Sequence, residues 1–299
     1  MTAPSPCSAR RFLGWLGVLT LAAWPTLEPA AHAANDPVRL SVEPATTLLD
    51  GQRATAQLIV TGIADDGSVR DLTHEAEWTI ANPGVVAVEP GGHVLPLSNG
   101  TGEVKARWGT LEARAKVQVQ NAETAHIVQF EHEVLPALSK AGCNQGACHG
   151  TPTGKDGFRL SLFGFDPKLD FMTLAREAGN RRVNRLEPEA SLILKKGTGA
   201  IDHQGGMRFT PTSLTYRLLR DWIAEGTPAQ PTGSPALVGL DVTPSVRVLD
   251  DPAQSQQIVV LGRFADGSTR DVTRLARYTS SDESIARVDS WGRARKVKR

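Results

Sequence analysis

The chain has 299 residues with 33 Lys+Arg against 32 Asp+Glu, so its formal net charge of +1 offers no basic surplus for nucleic-acid binding. The length allows two or three domains. Aromatic residues make up only 5%, while 28 Gly and 19 Pro suit short strands separated by frequent turns.

Residues 1–33 read as an export signal. Arg10 and Arg11 form the charged start, residues 12–24 an apolar run, and Ala31-His32-Ala33 a small-x-small cleavage site. A membrane anchor is the alternative, but the run is short for a span. Export implies a periplasmic or extracellular, cell-surface location. Thiols there become disulfides or are captured by haem attachment. Cys7 leaves with the signal, so Cys143 and Cys148 are the cysteines that remain.

Residues 38–120 read as β-structure. Leu58-Ile-Val60 is an apolar strand core, and Val86, Val88, Val104, Ala106, Val117 and Val119 alternate as half-buried strands do. Asp66-Gly67 supplies the positive φ angles of a tight hairpin. Calcium is a poor explanation for Asp65 and Asp66, because no complete oxygen-ligand loop follows.

Residues 126–229 differ in character. A helix is predicted from Phe130 to Ala141, with Phe130, Val134, Leu135 and Leu138 on one side and Pro136 interrupting it. A second is predicted over Leu169 to Ala178. The third runs from Thr212 to Glu225: Thr212 caps it, Leu214, Leu218 and Trp222 share a face, and Gly226 stops it. Gly- and Pro-rich loops lie between.

The loop after the first helix carries Cys143-Asn-Gln-Gly-Ala-Cys-His-Gly150. Two cysteines ending in Cys-His is the attachment pattern of a c-type haem, in which two thiols bond the porphyrin vinyls and the histidine reaches the iron. The usual spacing has two residues between the cysteines; here there are four. From spacing alone, a Cys143–Cys148 disulfide with His149 on the surface is an equal alternative. For the far iron face, His203 and Met207 stand close together. Met207 lies fifteen residues before Trp222 and would raise the redox potential; a second histidine would lower it relative to methionine. Gly205 and Gly206 would let the loop bring His203 to the ring edge, and the guanidinium of Arg208 suits a haem propionate.

Residues 236–299 repeat the first module at an offset of 200. Asp66-Gly-Ser-Val-Arg-Asp-Leu-Thr73 pairs with Asp266-Gly-Ser-Thr-Arg-Asp-Val-Thr273, and Val85, Val88 and Gly92 face Ile285, Val288 and Gly292. The counterparts of residues 100–119 are missing, so a truncated second copy with an open edge and an exposed core face is expected. Its closing residues include Arg293, Arg295, Lys296, Lys298 and Arg299, which read as solvated charges.

Two resemblances follow. The openings Leu40-Ser-Val-Glu-Pro44 and Leu240-Asp-Val-Thr-Pro244, the shared Asp-Gly-Ser-x-Arg-Asp-x-Thr turns and the aromatics Trp78 and Tyr278 make residues 38–120 and 236–299 resemble bacterial immunoglobulin-like group 2 domains. The cysteine loop, then Gly157-Phe-Arg-Leu-Ser-Leu-Phe-Gly-Phe-Asp166, Ser191-Leu-Ile-Leu-Lys195, His203-Gln-Gly-Gly-Met-Arg-Phe209 and Tyr216 to Gly226 resemble the planctomycete-type cytochrome c domain in its C-x4-C-H form. The implied architecture is multidomain: immunoglobulin-like β-sandwich domains flanking a small, mainly α cytochrome c-like domain. The implied cofactor is haem c, bound through Cys143 and Cys148. His149 is then the proximal iron ligand, His203 the distal candidate and Met207 its alternative.

The implied role is single-electron transfer, to a redox partner protein or fused C-terminal domains, and not catalysis by this chain alone. The immunoglobulin-like domains would be spacers or docking surfaces, touching the cell surface or polysaccharide. Two other readings stand beside it: a surface adhesion or scaffold protein with a disulfide-closed, haem-free middle domain, and a haem sensor or enzyme with an open iron position.

Overall fold

A computed structural model describes residues 36–250 and 254–297. The export-signal reading of residues 1–33, and Cys7, lie outside the described residues.

The first β module holds ten strands: β1 (Arg39–Glu43), β2 (Thr46–Asp50), β3 (Ala56–Gln57), β4 (Ile59–Ile63), β5 (Val69–Asp71), β6 (Glu77–Ile80), β7 (Val86–Glu89), β8 (His93–Pro96), β9 (Gly100–Trp108) and β10 (Leu111–Gln120). They form sheets in the orders β1-β4-β5, β3-β8-β7 and β2-β10-β9-β6. Period-two alternation explains the layering. In β10, Ala115, Val117 and Val119 are buried while Arg114, Lys116 and Gln118 between them are exposed. In β9, Val104 and Ala106 turn inward. They close a core with Leu49 of the same sheet and with Leu40, Val42, Leu58, Val60 and Leu72. Each inward valine or leucine contributes about 1.5–3 kcal/mol relative to exposure. The arrangement is mainly β and compatible with a β-sandwich.

The repeated Asp-x-Thr has a function that its turn does not reveal. The Thr73 hydroxyl accepts from the Val60 N–H at 2.9 Å, and the Thr273 hydroxyl accepts from Val260 N–H at 2.9 Å. The Trp78 indole N–H donates to the Thr73 carbonyl at 2.9 Å, and the Tyr278 hydroxyl donates to the Thr273 carbonyl at 2.9 Å. One buried threonine thus ties the strand before it to the aromatic after it, in both copies.

The middle segment has four α-helices: α1 (Leu135–Lys140), α2 (Pro167–Ala175), α3 (Leu192–Gly197) and α4 (Leu214–Ala224). A wide π-type turn, Phe130–Val134, leads into α1. The expected face of Phe130, Val134, Leu135 and Leu138 is buried. Pro136 falls in the first turn of α1, where its missing N–H has no partner to lose, so it starts the helix and does not break it. The expected cap of the last helix needs correction: Ser213, not Thr212, accepts from the Tyr216 N–H at 3.2 Å. Thr212 contributes its carbonyl to Arg217 instead. The helix α3 is an addition. These elements enclose their own core around Phe130, Leu138, Leu174, Leu194, Leu219 and Trp222. No helix among the described residues is long and apolar enough to cross a membrane.

The second β module has β11 (Leu237–Thr243), β12 (Ser255–Gln257), β13 (Val259–Phe264), β14 (Thr269–Asp271), β15 (Ala286–Val288) and β16 (Arg293–Lys296). Their orders, β11-β13-β14 and β12-β16-β15, match β1-β4-β5 and β3-β8-β7 of the first module. The two modules also clasp each other. Gln57 N–H donates to Asp271 Oδ2 at 2.5 Å, and Gln257 N–H donates to Asp71 Oδ2 at 2.5 Å. The middle segment joins them: Lys140 Nζ donates to the carbonyls of Arg274 and Ser290, and Arg53 pairs with Asp221 at 2.8 Å.

Candidate functional site

The site grows from the end of α1. The cysteine loop leaves the helix with Cys143 N–H donating to the Leu138 carbonyl at 3.0 Å. The four residues between the cysteines are wound into a turn. Cys148 N–H and Gly150 N–H both donate to the Gln145 carbonyl, at 2.9 and 3.0 Å, and His149 N–H donates to the Cys143 carbonyl at 3.0 Å. The long spacing is therefore compact. Gly150 is required here, because a Cβ would collide with the Asn144 carbonyl oxygen.

Both cysteines are free thiols. Cys143 is 7% exposed, and burial pushes its thiol up to about 12. It is a neutral thiol, not a nucleophilic thiolate. Cys148 is half-buried.

His149 packs on the Phe158 ring at 4.5 Å, and its Nδ1 is 2.9 Å from the Phe158 carbonyl. Burial holds its pKa below the ordinary histidine value, so the neutral imidazole prevails near neutral pH. His203 comes from the loop after α3, and its Nδ1 is 2.8 Å from the Gly206 carbonyl. A Cβ on Gly205 would strike the His203 ring at 2.8 Å. The two imidazoles lie parallel, with centroids 6.2 Å apart and an interplanar angle of 7°.

This geometry can be tested against a haem. Imidazole nitrogen bonds a transition metal at about 2 Å, and the ring centre lies roughly 1 Å behind it, so two rings on opposite sides of one metal sit roughly 6 Å apart. Each Nδ1 faces a backbone carbonyl. That is the outer-shell bond that fixes the tautomer of a ligating histidine and leaves Nε2 for the metal. Neither Nε2 has a hydrogen-bond partner among the described residues. No group of three or more His, Cys, Asp or Glu able to hold a bare metal ion occurs among the described residues. A haem iron needs only two protein ligands, since the porphyrin provides the rest. The separation of the two rings is of the size that two imidazole ligands of one metal have.

The other sequence candidates sit nearby. Arg208 spans the site: its Nε donates to the Ala141 carbonyl at 2.8 Å and its Nη1 reaches the Gly205 carbonyl at 3.4 Å, linking the cysteine and His203 loops. Met207 is 64% exposed and its Cβ lies against Gly199. Leu162, Phe163 and Phe165 after the cysteine loop are exposed, and the Arg277 guanidinium lies over the Phe163 ring at 5.1 Å. Phe158, whose carbonyl and ring hold His149, carries no site motif in the sequence. Its only signal was the Gly157-Phe-Arg string.

No family model matches the chain. It is similar to Ice-binding protein 1 of Shewanella frigidimarina (strain NCIMB 400), at 24% identity over 234 residues. That alignment takes in 78% of this chain and 23% of the relative, so the chain spans about a quarter of the length of the curated relative it matches.

Proposed function

We propose that this protein is an exported electron-transfer module that binds haem c covalently, with immunoglobulin-like domains on either side as spacers or docking surfaces. The carrying observation is the His149–His203 pair: parallel rings at a two-ligand separation, each with Nδ1 on a backbone carbonyl and no hydrogen-bond partner for Nε2 among the described residues. In this reading Cys143 and Cys148 form the thioethers, His149 is the proximal ligand and His203 the distal one. Met207 is the alternative distal ligand, and Arg208 is the propionate contact. When bound, the haem supplies one-electron chemistry at its iron.

The chain's own part is to hold and orient. The Phe158 carbonyl fixes His149, the Gly206 carbonyl fixes His203, and Arg208 keeps their two loops in one place. Leu162, Phe163 and Phe165 exclude water from a ring edge. Electrons pass to a redox partner protein or to fused C-terminal domains, in the periplasm or at the cell surface. No catalytic residue is assigned.

The test is expression with a haem-attachment system, followed by a pyridine haemochrome spectrum of the denatured chain. Covalent haem is expected. A haem-free protein with an oxidised Cys143–Cys148 pair overturns the reading. That second result would favour a cell-surface adhesion or scaffold role, which the likeness to a protein named for binding ice supports.

A further inference from the structure

In the second β module a lysine from the helical segment sits between two turns. Lys140, the last residue of α1, donates through Nζ to the Arg274 carbonyl in the turn after β14 at 2.6 Å. It also donates to the Ser290 carbonyl in the β15–β16 turn at 2.5 Å. The same Nζ lies 5.8 Å from the centroid of the Tyr278 ring, within cation–π reach. Two carbonyls and one aromatic ring thus make a seat for a primary ammonium.

The first module forms a cavity of about 300 Å³ at the equivalent place, lined by His74, Ala76, Glu77, Trp78, Val88 and Pro90 among others. At the offset of 200, His74 and Pro90 match Arg274 and Ser290, and Trp78 matches Tyr278. The two aromatics are held alike, with the Trp78 indole N–H on the Thr73 carbonyl and the Tyr278 hydroxyl on the Thr273 carbonyl. The His74 and Pro90 carbonyls accept no hydrogen bond from any described residue. The substitutions between the copies favour a cation. Burial, and then the charge of Arg274, lower the pKa of Lys140 to about 8. In the first module His74 stands in place of Arg274, and Glu77, which also pairs with Arg107, stands in place of Arg277. Tryptophan is also the better cation–π partner than tyrosine.

We propose that this cavity of the first module is a docking seat for a lysine side chain of a partner protein. The ammonium would donate to the His74 and Pro90 carbonyls over the Trp78 ring. Lys140 names the occupant, because it makes the matching contacts in the second module. The apolar walls Ala76, Val88 and Pro90 suit the aliphatic stem of a lysine better than a compact cation. The inference does not depend on haem binding.

The test titrates Nα-acetyl-lysine N-methylamide, whose one charge is the side-chain ammonium, into the full chain and follows amide and indole N–H resonances. Saturable shifts are expected at the Trp78 indole and the Gly91 amide, and none with the Nε-acetylated probe. Trp78→Tyr should keep the Gly91 shift, since tyrosine serves in the second module, whereas Trp78→Leu should weaken binding roughly tenfold. In Lys140→Ala the probe should also shift the Trp291 amide, which shows that it reports a seat of this kind. A probe that reaches Trp291 in that variant but never shifts Gly91 overturns the inference. So does an equal response to the acetylated probe, which would mean apolar contact alone. Tighter binding of methyl glucosaminide, the same ammonium on a sugar, would overturn the assignment to a protein lysine.

Discussion

At the scale of single residues, His149 concentrates the chemistry. Its ring is packed on Phe158 and its burial favours the neutral form, so its folded pKa lies below the ordinary value of 6.5. Below that value the unfolded chain binds more protons than the folded one, and stability falls as pH drops toward the folded pKa. His93 and His132 are shifted the same way, both chiefly by burial. The haem-free protein should therefore lose stability as pH falls below the ordinary histidine value of 6.5, and His149→Gln should reduce the loss without abolishing it. Denaturant midpoints across that range check this; an identical slope in the variant would contradict it. His149 was legible in sequence because Cys-His is a short, local motif. Phe158 was not, because a carbonyl nine residues away leaves no signature in side-chain chemistry. His203 was legible as a candidate, but its parallel placement depends on how two loops meet, which spacing does not encode.

At the scale of elements, the clearest device is the reciprocal clasp. Asp71 accepts from Thr73 N–H within its own module and from Gln257 N–H of the other; Asp271 accepts from Thr273 N–H and Gln57 N–H. Bonds to a buried carboxylate are worth more than neutral ones. Asp71→Ala and Asp271→Ala should each cost about 2 kcal/mol, and the double variant should cost clearly less than the sum, because either change opens the shared interface. Strict additivity in a double-mutant cycle would mean that each aspartate acts inside its own module only. The sequence exposed the Asp-x-Thr repeat, but its partners are backbone N–H groups, which every residue but proline carries. The helices follow the same division. Phe130 to Lys140 and Leu214 to Ala224 were readable from apolar periodicity. Helix α3 was not, since six residues give less than two turns of pattern.

At the scale of the whole molecule, two related β modules and a helical segment form one set of contacts. The offset of 200 residues displayed the relationship of the β modules directly, but the absence of strands at residues 246–250 and 277–280, the counterparts of β2 and β6, was not legible in it. How the parts touch was hidden. Lys140 reaches two carbonyls of the second module from the residue beside the cysteine loop, and Leu275 packs on the helical core. The cysteine loop is therefore braced by the module that follows it. A braced loop suits electron transfer, in which fixed ligands keep the metal's surroundings alike in both oxidation states.

The central claim is that His149 and His203 face one iron. The direct measurement is the ligand-field spectrum of the native, haem-loaded chain beside His203→Ala and Met207→Ala. A low-spin bis-histidine spectrum that is lost in His203→Ala and kept in Met207→Ala is the expected result. A spectrum that changes only in Met207→Ala, or in neither variant, contradicts the account.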